Sequence, residues 1–200
     1  GSFSALSAAK AGANVVVYEE HGAIGVPCHC PGYLSISGLK RLGLLPLPKR
    51  VVENEFKGAV FYSPCGKEFS VRLSSPVTCT VDRELFDKHL AKLATKAGVE
   101  YHLGMRIESL VLESGFVKGI IATHKGENQT LASNIVIDAE GVSSNLLKKA
   151  ELPTLNRSAV VKGVHAEVDN IKDVENESVE VYLGRKYAPG FYAWIIPRRD

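Results

Sequence analysis

The sequence predicts an α/β fold in which a parallel sheet flanked by helices is joined to a second, mixed β region. Three observations predict it. A helix of small residues passes through Gly12 into a run of valines that ends in an acid, the order of elements in a βαβ unit. A strongly amphipathic helix over 83–97 leads through Gly98 into another short apolar strand. Elsewhere, notably over 51–77, 159–168 and 179–183, apolar residues alternate with polar ones, the period of antiparallel β structure.

The chain has 200 residues, room for one large domain or two small ones. Its formal charge is +2, with no basic block and no interleaving of aromatic with basic residues, so nothing points to nucleic acid. No apolar run approaches the roughly 18 residues that argue for a membrane helix. Four cysteines (Cys28, Cys30, Cys65 and Cys79) are too few for a disulfide scaffold, and the default compartment is a reducing cytoplasm. Cys28-His29-Cys30 lacks the spacing and the second ligand pair of a zinc site, so no metal is expected.

Taken in order, residues 2–11 form the first helix, closed by Gly12. Val15, Val16, Val17 and Tyr18 form a strand over 14–19 that reads as buried on both faces. Residues 21–32 are rich in Gly and Pro, a loop whose backbone can pass close to a ligand. A short helix is expected over 34–44, ended by Gly43 and the Leu45-Pro46-Leu47-Pro48 breaker. Segments 59–63 and 68–73, joined by a Pro64-Cys65-Gly66-Lys67 turn, predict a hairpin. Asp82 caps the amphipathic helix, whose apolar face is Leu85, Phe86, Leu90, Leu93, Ala94 and Ala97. A strand over 99–103 precedes a meander over 107–112, 117–123 and 129–132. A further buried strand is expected over 134–138 and a helix over 143–150. Segments 159–168 and 179–183 alternate like strands of a second sheet, and 184–197 is aromatic among Gly and Pro.

Glu19 carries the functional reading. An acid ending the second strand of a dinucleotide-binding βαβ unit accepts hydrogen bonds from the adenosine ribose. Such a unit needs a glycine turn about 20 residues earlier, and Gly1 stands at nearly that distance. Gly1 reads as the third glycine of G-x-G-x-x-G, with the first strand and earlier glycines lying outside the sequence; an artificial leader is the alternative. Gly1 and Ser2 would then present N–H groups to a pyrophosphate at the helix N-terminus. Glu20 lies beside the ribose acid and is more readily exposed. Glu140 and Gly141 follow the expected strand at the carboxyl edge of the sheet, where open α/β sheets bind ligands.

Four stretches together resemble one family. They are the helix–strand–Glu19 unit with Ile24-Gly25-Val26-Pro27 and Cys30-Pro31-Gly32, then Asp82-Arg83-Glu84-Leu85-Phe86-Asp87. Ala139-Glu140-Gly141-Val142-Ser143-Ser144 and the aromatic stretch from Ala188-Pro189-Gly190 through Tyr192 and Trp194 to Pro197 complete the set. They resemble the geranylgeranyl reductases, FAD-dependent oxidoreductases within the para-hydroxybenzoate hydroxylase-like fold, and most of all the archaeal type acting on digeranylgeranylglycerophospholipids. Departures are Glu140 for an Asp, Lys148 for an Arg, Phe191 for a Gly and Ile196 for a Phe.

The resemblance implies an FAD-binding Rossmann-like fold without its first strand, joined to part of a mixed β substrate domain. It divides the chain into 1–50 and 78–155 for the cofactor and 51–77 and 156–200 for substrate-domain strands. The later G-D-A motif of the family lies outside the sequence, so weak FAD retention is expected of these 200 residues alone. Implied cofactor contacts are Gly1, Ser2, Glu19, Glu20, Cys30, Gly32, Arg83, Arg106, Ile107, Glu140 and Gly141; the alternatives are a solvated strand-ending acid for Glu19, plain exposure at the helix start for Arg83 and a strand edge for Arg106 and Ile107. Cys30 is an implied proton donor or tunnel residue, its alternative a buried small hydrophobe. Tyr192 and Trp194 are implied to line an isoprenoid tunnel, with ordinary core packing as the alternative. The implied reaction is delivery of a hydride from reduced FAD to an isoprenoid double bond. Implied partners are the lipid and an electron donor (reduced ferredoxin or NAD(P)H), with peripheral contact at the inner face of the cell membrane. Aromatic monooxygenation on the same scaffold, and a non-catalytic incomplete chain, are the alternative functions.

Overall fold

The computed structural model describes residues 1–198. Its elements in order are α1 Ser2–Lys10, β1 Val16–Glu19, β2 Tyr33–Ser35, α2 Ile36–Arg41, β3 Val52–Phe56, β4 Gly58–Tyr62, β5 Glu68–Arg72, β6 Thr78–Val81 and α3 Arg83–Lys96. There follow β7 Glu100–Leu103, β8 Arg106–Glu113, β9 Phe116–His124, β10 Glu127–Ala132, α4 Asn145–Lys149, β11 Ser178–Leu183 and β12 Tyr192–Ile195. The chain divides into two compact units, one of residues 1–26 and 87–160, the other of 27–86 and 161–200. The last two positions of the second lie outside the described residues.

In the first unit β1 pairs in parallel with β7, Val16 opposite Glu100 and Glu19 opposite Leu103. Ala5, Leu6, Ala94 and Val99 are buried together, with Ala9, Val15, Val17, Leu93, Ala97 and Tyr101 packed around them. The small residues of α1 let helix and strand approach closely, and Gly12 at φ +90° closes the helix, as its position predicts. Strands β8, β9 and β10 form the expected antiparallel meander in the order β10-β9-β8.

The second unit holds two sheets. One has the order β2-β6-β3 and the other β12-β11-β4-β5, the second with β11 parallel to β4 and its remaining pairs antiparallel. The predicted hairpin is β4 and β5, with Phe61 opposite Phe69. Asn54, almost fully buried on β3, donates from Nδ2 to the carbonyls of Asn176 at 2.8 Å and Pro197 at 3.1 Å, while its Oδ1 accepts from Glu55 N. That one amide thereby ties the approach to β11 and the end of β12 to β3. Among the described residues β5 has one strand neighbour, β4, and all five of its residues are exposed, Phe69 at 65%.

Several sequence expectations need correction. The run 134–138 is not a strand: Ile135 is 78% and Ile137 58% exposed. Apolar composition alone does not make a strand, since each strand needs a neighbour to take its N–H and C=O groups, and no ladder includes this run among the described residues. Likewise 159–168 alternates but forms no strand, Val164 being 91% exposed. Leu34 lies in β2 rather than in a helix, which starts later at Ile36 behind the Ser35 cap. The stretch 14–19 is not buried on both faces: Val15, just before β1, and Val17 pack partly buried against the core while Val16 stays exposed. β6, with its Thr-Cys-Thr-Val sequence, carried too weak an alternation to stand out and is nonetheless almost wholly buried.

Candidate cofactor site

The chemistry of the first unit gathers at one edge. α1 and β1 run in opposite directions, joined by the short turn at Gly12, so the N-terminus of α1 and the C-terminal end of β1 point the same way. At the helix start, Ala5 N donates to Gly1 O at 3.0 Å, the first bond of the ladder. The N–H groups of Ser2, Phe3 and Ser4 precede it, and the N-cap residue, Gly1, has no side chain to cap them. A Cβ at Gly1 would sit 3.9 Å from Ala139 Cβ, so the 139–141 stretch borders this helix end. Open N–H groups and the positive end of a helix dipole favour an anion here.

Glu19 ends β1 at the same edge. Its Oε1 accepts from His21 N at 3.0 Å and faces His21 Nδ1 at 2.6 Å. Its carbonyl accepts from Met105 N at 2.9 Å, and the carbonyl of His21 from Gly104 N at 3.0 Å. The turn after β7 is therefore fastened to the end of β1. Arg106 and Ile107 open β8 immediately beyond that turn, Arg106 exposed and paired to Glu108 at 3.2 Å, Ile107 half-buried. Glu20 is exposed.

Glu140 has a local task that sequence reading missed. Its Oε1 accepts from Leu146 N at 2.6 Å and Leu147 N at 3.4 Å, and Oε2 faces Ser143 Oγ at 3.2 Å. The longer side chain reaches forward to cap α4. Burial pushes its carboxyl up, but donation from the backbone of Leu146, Asn145 and Leu147 and from Ser143 outweighs this and leaves the pKa below the ordinary value. Asp138 in turn accepts from Glu140 N at 2.9 Å. Gly141 at φ +73° turns the chain out of this stretch.

The remaining candidates lie in the second unit. Gly32 is buried at φ +78°, and a Cβ there would collide with the carbonyl oxygen of Val81. Its own carbonyl accepts from Val81 N at 3.0 Å. Close packing of the loop on β6 alone therefore demands glycine at this position. Cys30 is half-buried, its carbonyl approached by Cys28 Sγ at 3.5 Å. Arg83 opens α3, behind the predicted cap in which Asp82 Oδ1 accepts from Leu85 N at 2.9 Å.

Tyr192 and Trp194 share a face of β12, as alternation predicts, with ring centroids 5.9 Å apart. Register extends that face: Trp194 lies opposite Val181, which is opposite Phe61, which is opposite Phe69. Leu183, opposite Tyr192, and Val71, opposite Ala59, complete an apolar sheet surface. The other face is mixed, with Ile195 and Val60 opposite Glu180. There Tyr62 and Tyr182 stack at 4.6 Å, and the Tyr182 hydroxyl donates to Glu180. Burial and that carboxylate both push the Tyr182 pKa up. Among the described residues no group of His, Cys, Asp or Glu is arranged to hold a metal, and no helix is long and apolar enough to cross a membrane.

A parallel βα edge with an acid at its strand end is the mark of a nucleotide-binding oxidoreductase layer. The profile of the FAD dependent oxidoreductase family matches residues 43–200, and the chain belongs to that family. It is similar to the digeranylgeranylglycerophospholipid reductase of Methanocaldococcus jannaschii, at 32% identity over 100% of this chain and 50% of that protein. The same-named protein of Methanocella arvoryzae matches at 32% identity over 100% of this chain and 51% of its own length. Among solved structures, a geranylgeranyl bacteriochlorophyll reductase-like protein from Thermoplasma acidophilum superposes with TM-score 0.83 at 28% identity, covering 99% of this chain and 51% of that one. A flavin-dependent brominase, at 20% identity and TM-score 0.77, shares the fold. The chain spans about half the length of the curated relatives it matches.

The residues present suit FAD. The uncapped N–H groups of α1 fit its pyrophosphate, and Glu19, with Oε2 taking no partner among the described residues, fits a sugar hydroxyl. Sequence reading missed His21 as the partner of Glu19; a donor two residues beyond a strand-ending acid was the available signal.

Proposed function

We propose that this chain is the nucleotide-gripping and lipid-facing portion of an FAD-dependent reductase that saturates isoprenoid double bonds of archaeal-type glycerophospholipids. The gathering of the α1 N-terminus, Glu19 and residues 139–141 at one edge carries the reading. When bound and reduced, FAD supplies the hydride equivalent, and a proton completes the saturation. The chain's own residues bind and orient. Gly1 and Ser2 receive the pyrophosphate, Glu19 the ribose, Arg106 and Ile107 border the adenine, and Glu140 and Gly141 lie close to the cofactor. Glu20, Cys30, Gly32 and Arg83 belong to the same set of cofactor contacts, with Cys30 the candidate proton source.

Tyr192 and Trp194 belong to the lipid, and the apolar face they share supports this. Each desolvated CH₂ contributes about 0.8 kcal/mol, so a polyprenyl chain gains much from such a surface, whereas a polar aromatic substrate gains little. The relatives' names favour the same substrate class. The domain division 1–50 with 78–155, and 51–77 with 156–200, the electron donor and the contact with a membrane surface are part of the proposal.

The test is anaerobic turnover of a digeranylgeranylglycerophospholipid by the full-length protein with chemically reduced FAD, read by mass spectrometry. A gain of H₂ per saturated bond is expected, and Trp194→Ala should raise the apparent KM for the lipid about tenfold while leaving FAD affinity unchanged. Turnover that requires O₂ and gives a hydroxylated product would overturn the proposal in favour of monooxygenation.

A further inference from the structure

We infer that His21 is a positioning residue for Glu19, setting which carboxylate oxygen meets the nucleotide sugar; this rests on the reading of Glu19 as the ribose acid. Both donors of His21, main chain and ring, fall on the same oxygen, Oε1, at 3.0 and 2.6 Å. A carboxylate oxygen is only an acceptor, so the bond exists only with the proton on Nδ1, in the neutral Nδ1–H tautomer or the imidazolium. Two donors occupy the lone pairs of Oε1 and leave Oε2 to accept from sugar hydroxyls.

The main chain supports this. The carbonyls on either side of Glu20, those of Glu19 and His21, are held by Met105 N and Gly104 N. On the far side of that turn, His124 Nδ1 lies 3.1 Å from the Gly104 carbonyl. The backbone under His21 is therefore fixed, and its ring has a defined station over Glu19. Both side chains are partly exposed, so the ring contributes by limiting the rotamers of Glu19 before the sugar arrives, which lowers the ordering cost of binding.

His21→Ala keeps the backbone donor and removes the ring donor alone. In the full-length protein it should weaken FAD binding about tenfold by fluorescence titration. The apoprotein's thermal midpoint should not move. His21→Asn, whose amide nitrogen can occupy the place of Nδ1, should restore affinity to within about twofold of the wild type. Imidazole ¹⁵N shifts of the apoprotein should report the proton on Nδ1. If Glu19→Ala weakens FAD and His21→Ala does not, the positioning role is wrong while the ribose acid stands. If Glu19→Ala leaves FAD affinity intact, the nucleotide reading fails and the inference with it. A His21→Ala loss accompanied by a lower midpoint and no rescue by Asn, or a neutral Nε2–H tautomer, would also overturn it.

Discussion

In the first unit the polar candidates stand where helices and strands end, whereas in the second the aromatic pair Tyr192 and Trp194 lines the face of a sheet. The edge of the first presents backbone N–H groups, one acid and its histidine. Each is a single polar feature whose neighbours mostly leave it accessible. The face in the second is built by register: Phe61, Phe69, Val181 and Trp194 meet because four strands align, not because any one side chain is placed by a specific bond. Strand ends thus offer directed hydrogen bonding with little dependence on the core behind them. A sheet face offers contact area and depends entirely on its packing.

That contrast can be broken by substitution. The largest effect is expected at Gly32→Ala, where a Cβ meets the Val81 carbonyl and the backbone is left-handed; a loss of about 3 kcal/mol in urea unfolding is expected. Gly66→Ala, with similar φ but open space around it, should cost only about 1–2 kcal/mol. Equal losses would show that the close approach contributes nothing. Asn54→Ala should cost about 2 kcal/mol, since it strips the donors from two carbonyls. A neutral outcome would mean those carbonyls find other partners.

Effects in the first unit should be smaller for stability and larger for binding. Glu140→Ala removes the α4 cap and should cost about 1 kcal/mol or less, discounted for its exposure. The sign with pH follows from its lowered pKa. The contribution is present above the ordinary value of 4.5 and is lost as pH falls through the depressed one, so acid melts of wild type and Glu140→Gln should converge there. Glu19→Ala should change stability by no more than about 0.5 kcal/mol while raising the FAD dissociation constant about tenfold. A large stability loss with unchanged affinity would erase the distinction between edge and face.

Much of this was legible from residues. The α1–Gly12–β1 unit, the cap and apolar face of α3, the β4–β5 hairpin and the meander were signalled by periodicity and turn chemistry, both local in sequence. The misreadings share a cause. Residues 134–138 and 159–168 carry β-forming composition, yet a strand exists only when another supplies its ladder, and that partner is not written in the segment itself. β6 erred the other way, too short and polar to announce itself although it is central to its sheet. At the candidate site, the position of Glu19 at the end of a valine strand was readable from the sequence, and its role there belongs to the proposal. His21 and the capping task of Glu140 were not readable, because both depend on side-chain reach across a turn.

The outer margin of β5 has a consequence for handling the protein. Among the described residues its outer amides and carbonyls have no strand partner, and with Phe69 beside them they form a template on which a further polypeptide segment could lengthen the sheet. Glu68 and Arg72 bracket the strand with opposite charge, and Arg72 also pairs with Glu175 and Glu177; charges at such a margin oppose stacking. Neutralising Glu68, which leaves the pairs of Arg72 intact, should make preparations cloud at concentrations the parent tolerates, without altering the fold in dilute solution.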